Sequence, residues 1–291
     1  AGRRQTIEPE LQQHEHLSFQ VVDIRDSEKI EQIFSEIKPS GVIHFAAESH
    51  VDRSITNPNI FVETNVIGTM NLLNASLKYS SDDFRFTHVS TDEVYGSLSE
   101  NDEAFTEQTP ITPNSPYSAS KASSDLLVRA YIETHGLNAT ITRCSNNYGP
   151  HQFPEKLVPL MILNAQSNTK LPVYGNGKNI RDWIYVDDHN RGIWLAFTKG
   201  QQGQVYNFGG DSERRNIDVV QTILKILDKP NTLIEYVEDR KGHDWRYAIN
   251  FDKARTELGW KPEINFETGL EKTVNWYVNN PDWLDMVKST H

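Results

Sequence analysis

Tyr117 and Lys121 stand four residues apart, a spacing that puts both side chains on one face of a helix. A neighbouring ammonium favours the ionised phenol and pulls its pKa down from about 10. A phenol tuned in this way can take the proton of an alcohol while a hydride leaves the same carbon. A surface helix pair is the commoner reading of the spacing alone. Tyr174 and Lys178 even repeat it around Gly175-Asn176-Gly177, a stretch unsuited to a helix. Asp92 and Glu93 are adjacent carboxylates behind Ser90-Thr91. In one site such a pair can serve as general acid and general base. At a helix N-terminus it would stabilise through the dipole alone. Cys144 reads as a small buried residue rather than a nucleophile.

The segments around these residues alternate in character. Residues 17–23 are rich in β-formers. Residues 27–38 carry Ile30, Ile33, Phe34 and Ile37 at helical spacing and stop before Pro39. Strands are expected at 42–46, 84–90 and 139–144, with helices at 59–78 and 117–134 between them. Further on, strands are expected at 171–177, 181–187 and 205–209, and helices at 188–197, 217–227 and 266–278. This βαβα order implies an α/β fold, a parallel sheet with helices on both faces. Ligands of such sheets bind at the carboxyl ends of the strands. Those ends read Phe45-Ala-Ala-Glu-Ser-His50, Val89-Ser-Thr-Asp-Glu-Val-Tyr-Gly96 and Arg143-Cys-Ser-Asn-Asn-Tyr-Gly-Pro150.

The whole chain has 291 residues, 29 of them Lys or Arg and 40 Asp or Glu, for a net charge of −11. That balance argues against sequence-independent nucleic-acid binding and against anionic membranes. No run approaches the ~18 apolar residues of a membrane-spanning helix, and no basic-then-apolar opening marks a signal peptide. A single cysteine excludes an internal disulfide and fits a reducing, cytoplasmic setting. No Cys/His cluster has zinc spacing, so no metal is expected; His14 and His16 read as solvated.

Ala46-Ala47, Thr91, the Tyr117/Lys121 pair and Arg181-Asp-Trp-Ile-Tyr-Val-Asp187 resemble the extended short-chain dehydrogenase/reductases that act on nucleotide sugars. Longer segments resemble the dTDP-glucose 4,6-dehydratase family within them. These are Ala-Ala-Glu-Ser-His-Val-Asp-Arg-Ser54, Ser-Thr-Asp-Glu-Val-Tyr-Gly96, Cys-Ser-Asn-Asn-Tyr-Gly-Pro-His-Gln-Phe-Pro-Glu-Lys-Leu157 and Arg-Lys-Gly-His-Asp244. The resemblance runs from about residue 17 to 276. It implies a Rossmann-type sheet over 1–150 and about 178–208 that binds NAD. A smaller α/β lobe over 151–177 and 209–291 would bind the sugar nucleotide.

The family chemistry, placed on these positions, is internal redox. NAD+ takes hydride from C4 of the glucose while Tyr117 accepts the hydroxyl proton, with Lys121 beside it and Thr91 on the C4 oxygen. Glu93 removes the C5 proton, Asp92 protonates the departing C6 hydroxyl, and the hydride returns to C6. By the same resemblance Asp23, Ile24, Phe45, Ala46, Ala47, Glu48, Ser49, Thr64 and Asn147 hold NAD together with Tyr117 and Lys121. Ser49, Thr91, Asn146, Lys156, Leu157, Pro172, Val173, Tyr174, Arg181, Asn216, Asp239, Arg240, Lys241, Gly242 and His243 hold dTDP-glucose. Lys156 and Arg181 suit a pyrophosphate, which needs fixed cations. Arg181 could equally pair with Asp182, Tyr174 could be a core aromatic, and Asp23 a turn former. His50 reads as structural support. Trp245 stands where the family carries Arg and is kept out of the site, while Arg246 keeps the nucleotide role.

A Rossmann sheet should open on a strand and Gly-x-x-Gly-x-x-Gly, whose backbone approaches the pyrophosphate. The sequence holds no such motif. Ala1-Gly2 resembles the family segment after the second strand. The expectation is therefore a sheet with a gap, exposed apolar surface and unpaired backbone. The rival functions are a 4-epimerase, which would not need Asp92-Glu93, a GDP-mannose 4,6-dehydratase, and an inactive sugar-nucleotide binder. Helices 59–78 and 117–134 resemble the pair through which the superfamily forms homodimers.

Overall fold

The computed structural model describes residues 4–79, 81 and 83–283; Ala1-Gly2, on which part of the family comparison rests, lies outside them. The elements run α1 (Pro9–Gln12), α2 (Ser27–Ile37), β1 (Gly41–His44), α3 (Val51–Thr56), α4 (Pro58–Phe61), α5 (Thr69–Tyr79), β2 (Arg85–Thr91), α6 (Pro116–His135) and β3 (Ala139–Cys144). After these come β4 (Asn146–Tyr148), α7 (Leu157–Gln166), β5 (Leu171–Tyr174), β6 (Ile180–Tyr185), α8 (Val186–Lys199), β7 (Val205–Phe208), β8 (Glu213–Arg215), α9 (Asn216–Ile226), β9 (Ile234–Val237) and α10 (Phe266–Asn279).

The main sheet is parallel, in the order β1-β2-β3-β7. Its strands carry near-continuous burial, as expected when helices cover both faces. On one side α2, α5 and α6 pack on it around Leu73, Phe86, Val128 and Ile141. A second core gathers α7, α9 and α10 around Tyr148, Trp183, Ile223 and Leu270. Two small sheets, β4-β6-β8 and β5-β9, lie between. Strands β4 and β6 place Tyr148, Trp183 and Tyr185 in the second core, with β4 following directly on β3.

Three expectations need correction. Residues 17–23 form no strand: Leu17, Phe19 and Val21 are 41%, 39% and 89% exposed. A strand needs a ladder, and β1 pairs only with β2 among the described residues, so nothing lies beside this segment to hydrogen-bond it. Val22 and Ile24 still turn inward onto the α2–α5 core, so the alternation survives without the strand. The helix expected at 59–78 is interrupted by wide i→i+5 turns over Val62–Gly68. Such bulges recur at functional sites. Here the bulge seats Gly68 against Ile24, where a Cβ would approach Cδ1 to 2.5 Å. Helix α7 was hidden by Pro154 and Pro159. Pro159 falls in the first turn, where the missing N–H has no helical partner to lose.

Helix α6 brings the Tyr117/Lys121 pair to the sheet. Ser115 caps it in a reciprocal box with Ser118, Pro116 opens its first turn, and Gly136 closes it at φ +69°.

Candidate active site

Strand β2 ends at Thr91, whose hydroxyl accepts from the Glu93 N–H at 3.3 Å and starts a short turn over Asp92–Tyr95. That turn splits the two carboxylates. Glu93 lines a cavity of about 440 Å³. Asp92 is 2% exposed, and its Oδ2 has no hydrogen-bond partner. Burial raises both carboxyls. Asp92 is driven well above the usual carboxylate range, with the negative neighbours Glu93 and Asp182 adding to burial. Glu93 rises less, because the cations Arg181, Lys156 and Arg240 work against its burial.

Tyr117 is 8% exposed at the start of α6, edge-on to Phe61. The expectation that Lys121 lowers its pKa is corrected by this arrangement. Burial, then the negative charge of Glu93, holds the phenol well above its ordinary value, while the Thr91 hydroxyl favours ionisation. The Lys121 ammonium donates to the Val89 carbonyl at 2.8 Å. Burial lowers Lys121 to about 8.

The cavity gathers side chains from distant segments. Lys156 Nζ donates to the Ser49 carbonyl at 2.6 Å, and burial lowers its pKa. Arg181 does not pair with Asp182. Its guanidinium donates to the Ile180 carbonyl at 2.7 Å and the Asp244 carbonyl at 2.9 Å, and lies 4.2 Å over Tyr247. Asp182 instead accepts the Gly210 and Ser212 N–H groups. Tyr174 is 39% exposed and so is no core aromatic. Its hydroxyl donates to Asp52 at 3.3 Å, with Arg240 5.1 Å over its ring. Ser49, Asn146, Leu157, Pro172, Val173, Asn216, Gly242 and His243 also line the cavity.

Asp239 and Lys241 stand outside that lining; Asp239 accepts from His243 Nδ1 at 2.6 Å. Arg246 is also outside it, held by Glu213 at 2.6 and 2.8 Å. Trp245 is 37% exposed, with its N–H on Ser97. Several lining residues escaped the sequence reading, among them Asp52, Glu155, Tyr247 and Trp183. Asp52 sits inside a segment already singled out, and its pairing with Arg240 at 2.5 Å spans 188 residues. His50 lines the cavity and accepts from the Arg53 N–H, which caps α3.

On the other side, the chain from Phe45 to Ser49 forms a ledge at the end of β1. Asn65, buried within the wide turns, clamps it by bonding both the N–H and the carbonyl of Glu48 and the Ser120 hydroxyl. The buried Asn147 Oδ1, which has no partner, suits a planar carboxamide donor such as that of a nicotinamide. Phe45 is 54% exposed. Asp23 is engaged by Arg25 from both its backbone and side chain, and Ile24 bonds Asn71 through its carbonyl. Thr64, next to Asn65, lies half-buried.

A family model described as GDP-mannose 4,6 dehydratase matches residues 1–273. A dTDP-glucose 4,6-dehydratase of Escherichia coli is 53% identical over 99% of this chain and 86% of its own length. Among solved structures, the dTDP-glucose 4,6-dehydratase DesIV of Streptomyces venezuelae with NAD superposes with a TM-score of 0.94 at 44% identity, covering 99% of this chain and 87% of that one. The NAD complex of the enzyme from Bacillus anthracis gives 0.87 at 46%, over 96% and 86%. Likeness of that extent makes the chain a member of the dTDP-glucose 4,6-dehydratase family.

Proposed function

We propose that this protein dehydrates dTDP-glucose to dTDP-4-keto-6-deoxyglucose with bound NAD+. The observation that carries this reading is the unequal setting of two adjacent carboxylates. Asp92 is buried, and burial together with its negative neighbours favours the protonated form that an acid needs to give a proton to a leaving hydroxyl. Glu93 faces the cavity among cations that favour its ionised, basic form.

NAD+, when bound, supplies the acceptor for the C4 hydride and then the donor to C6. Tyr117 takes the C4 hydroxyl proton, with Thr91 orienting that oxygen. Once C4 is a ketone the C5 proton is acidic, and Glu93 removes it. Asp92 protonates the C6 hydroxyl as it leaves. Lys156, Arg181 and Arg240 face the cavity and suit the pyrophosphate. The ledge from Phe45 to Ser49, with Asn147, would hold the nicotinamide end of the cofactor, and Asp23 and Ile24 the adenine end.

Glu93→Gln tests the assignment directly. Exchange of the C5 hydrogen with solvent should disappear while NAD+ binding persists; full exchange in that variant would remove Glu93 from the role.

Two lobes, 1–150 with about 178–208 and 151–177 with 209–291, would frame the site. A homodimer through residues 59–78 and 117–134 is supported by the exposed apolar side chains Val62, Ile67 and Leu126, which are 50%, 42% and 54% exposed. No helix among the described residues is long and apolar enough to cross a membrane. A cytoplasmic setting is supported by the buried free thiol of Cys144.

A further inference from the structure

Beneath Tyr117 lies a floor of buried polar groups that the reaction scheme leaves unused. Lys121, Asp125 and Arg143 are 3%, 2% and 4% exposed, and His44 and His88 are 3% and 0% exposed. Arg143 Nε donates to Asp125 Oδ2 at 2.9 Å. His88 Nε2 lies 3.4 Å from Asp125 Oδ1 and 3.1 Å from the Ser124 hydroxyl. The Ser124 hydroxyl spends its proton on the Lys121 carbonyl at 2.8 Å, so the Nε2–H of His88 is the donor between them.

The charges on this floor can be counted from each element that faces it. His44 on β1 and His88 on β2 are kept neutral by burial, His88 at about 4. Cys144 on β3 is a thiol, pushed up by burial to about 12. Tyr117 on α6 is a phenol, and beyond it burial raises Asp92 and Glu93. Asp125 is left as an anion between two cations, Lys121 one helical turn before it and Arg143 on β3. The Lys121 ammonium has the Val89 carbonyl as acceptor. A buried ammonium without a counter-charge gives up its proton.

We propose that Asp125 is a positioning residue: its carboxylate, held by Arg143, keeps the buried Lys121 charged beneath Tyr117. This rests on the reading of Lys121 as the partner of Tyr117. A carboxylate serving only to tie α6 to β3 through Arg143 would leave the Lys121 charge unaffected.

The test needs no turnover, so failure of the proposed dehydration leaves it standing. The Lys121 ε-carbon is titrated by NMR in 13C-lysine-labelled protein, with the resonance assigned by Lys121→Arg. Asp125→Asn is expected to lower the Lys121 midpoint by about one pH unit or more, while Asp125→Glu keeps it near wild type. An unmoved midpoint in Asp125→Asn overturns the proposal, whatever happens to thermal stability. Should Asp125→Asn fail to fold, Asp125→Ser takes its place in the same titration, with the same fall in midpoint expected; an unmoved midpoint overturns the proposal as well.

Discussion

Each reacting residue owes its state to its immediate surroundings. Asp92 and Glu93 differ by one position and a short turn, yet one is sealed and the other faces the cavity. Identity and spacing were legible in the sequence, but the split in environment was not, because it depends on Asp182, Arg181 and Lys156 arriving from elsewhere. The sequence likewise paired Tyr117 with Lys121 but put the phenol pKa on the wrong side, since burial and the charge of Glu93 raise it. A pH dependence follows. Lys121 titrates at about 8 and must be charged to assist Tyr117. Because kcat/KM reports the free enzyme, it should fall on the alkaline side with a midpoint of about 8. A plateau continuing past the ordinary lysine range would contradict that role.

At the level of elements, regular segments were read well where apolar period and caps agree. The spans of β3 and α6 lie within a residue or two of expectation. The misses have physical causes. Residues 17–23 have strand composition but no neighbour to pair with. The wide turns over Val62–Gly68 keep helical composition while rotating Asn65 inward, a shift invisible to a 3.6-residue period. Helix α6 depends on its cap, since Ser115 and Ser118 satisfy N–H groups at its start. Replacing Ser115 by Ala should cost about 1 kcal/mol of stability, read as a lower urea midpoint at unchanged slope. An unchanged midpoint would mean that packing alone holds the start of α6.

At the scale of the whole molecule, the parallel sheet and the ends of its strands were legible from alternation and from the segments 46–54, 90–96 and 144–157. The cavity wall was less so. Asp52, Tyr174 and Arg240 meet across more than a hundred residues, and a linear reading holds no signal for such a contact. The proposed dimer has its own check. Leu126→Glu puts a charge into the apolar surface of α6 and should convert dimers to monomers in sedimentation experiments. A wild-type chain that sediments as a monomer would refute the dimer.

The central claim is internal redox coupled to water loss, and the path of one hydrogen tests it. The protein is incubated with NAD+ and dTDP-glucose carrying deuterium at C4, and the product is read by NMR. The account predicts a 4-keto-6-deoxy sugar with the deuterium moved to C6. Deuterium still at C4 of an inverted sugar, or substrate returned unchanged, would contradict it.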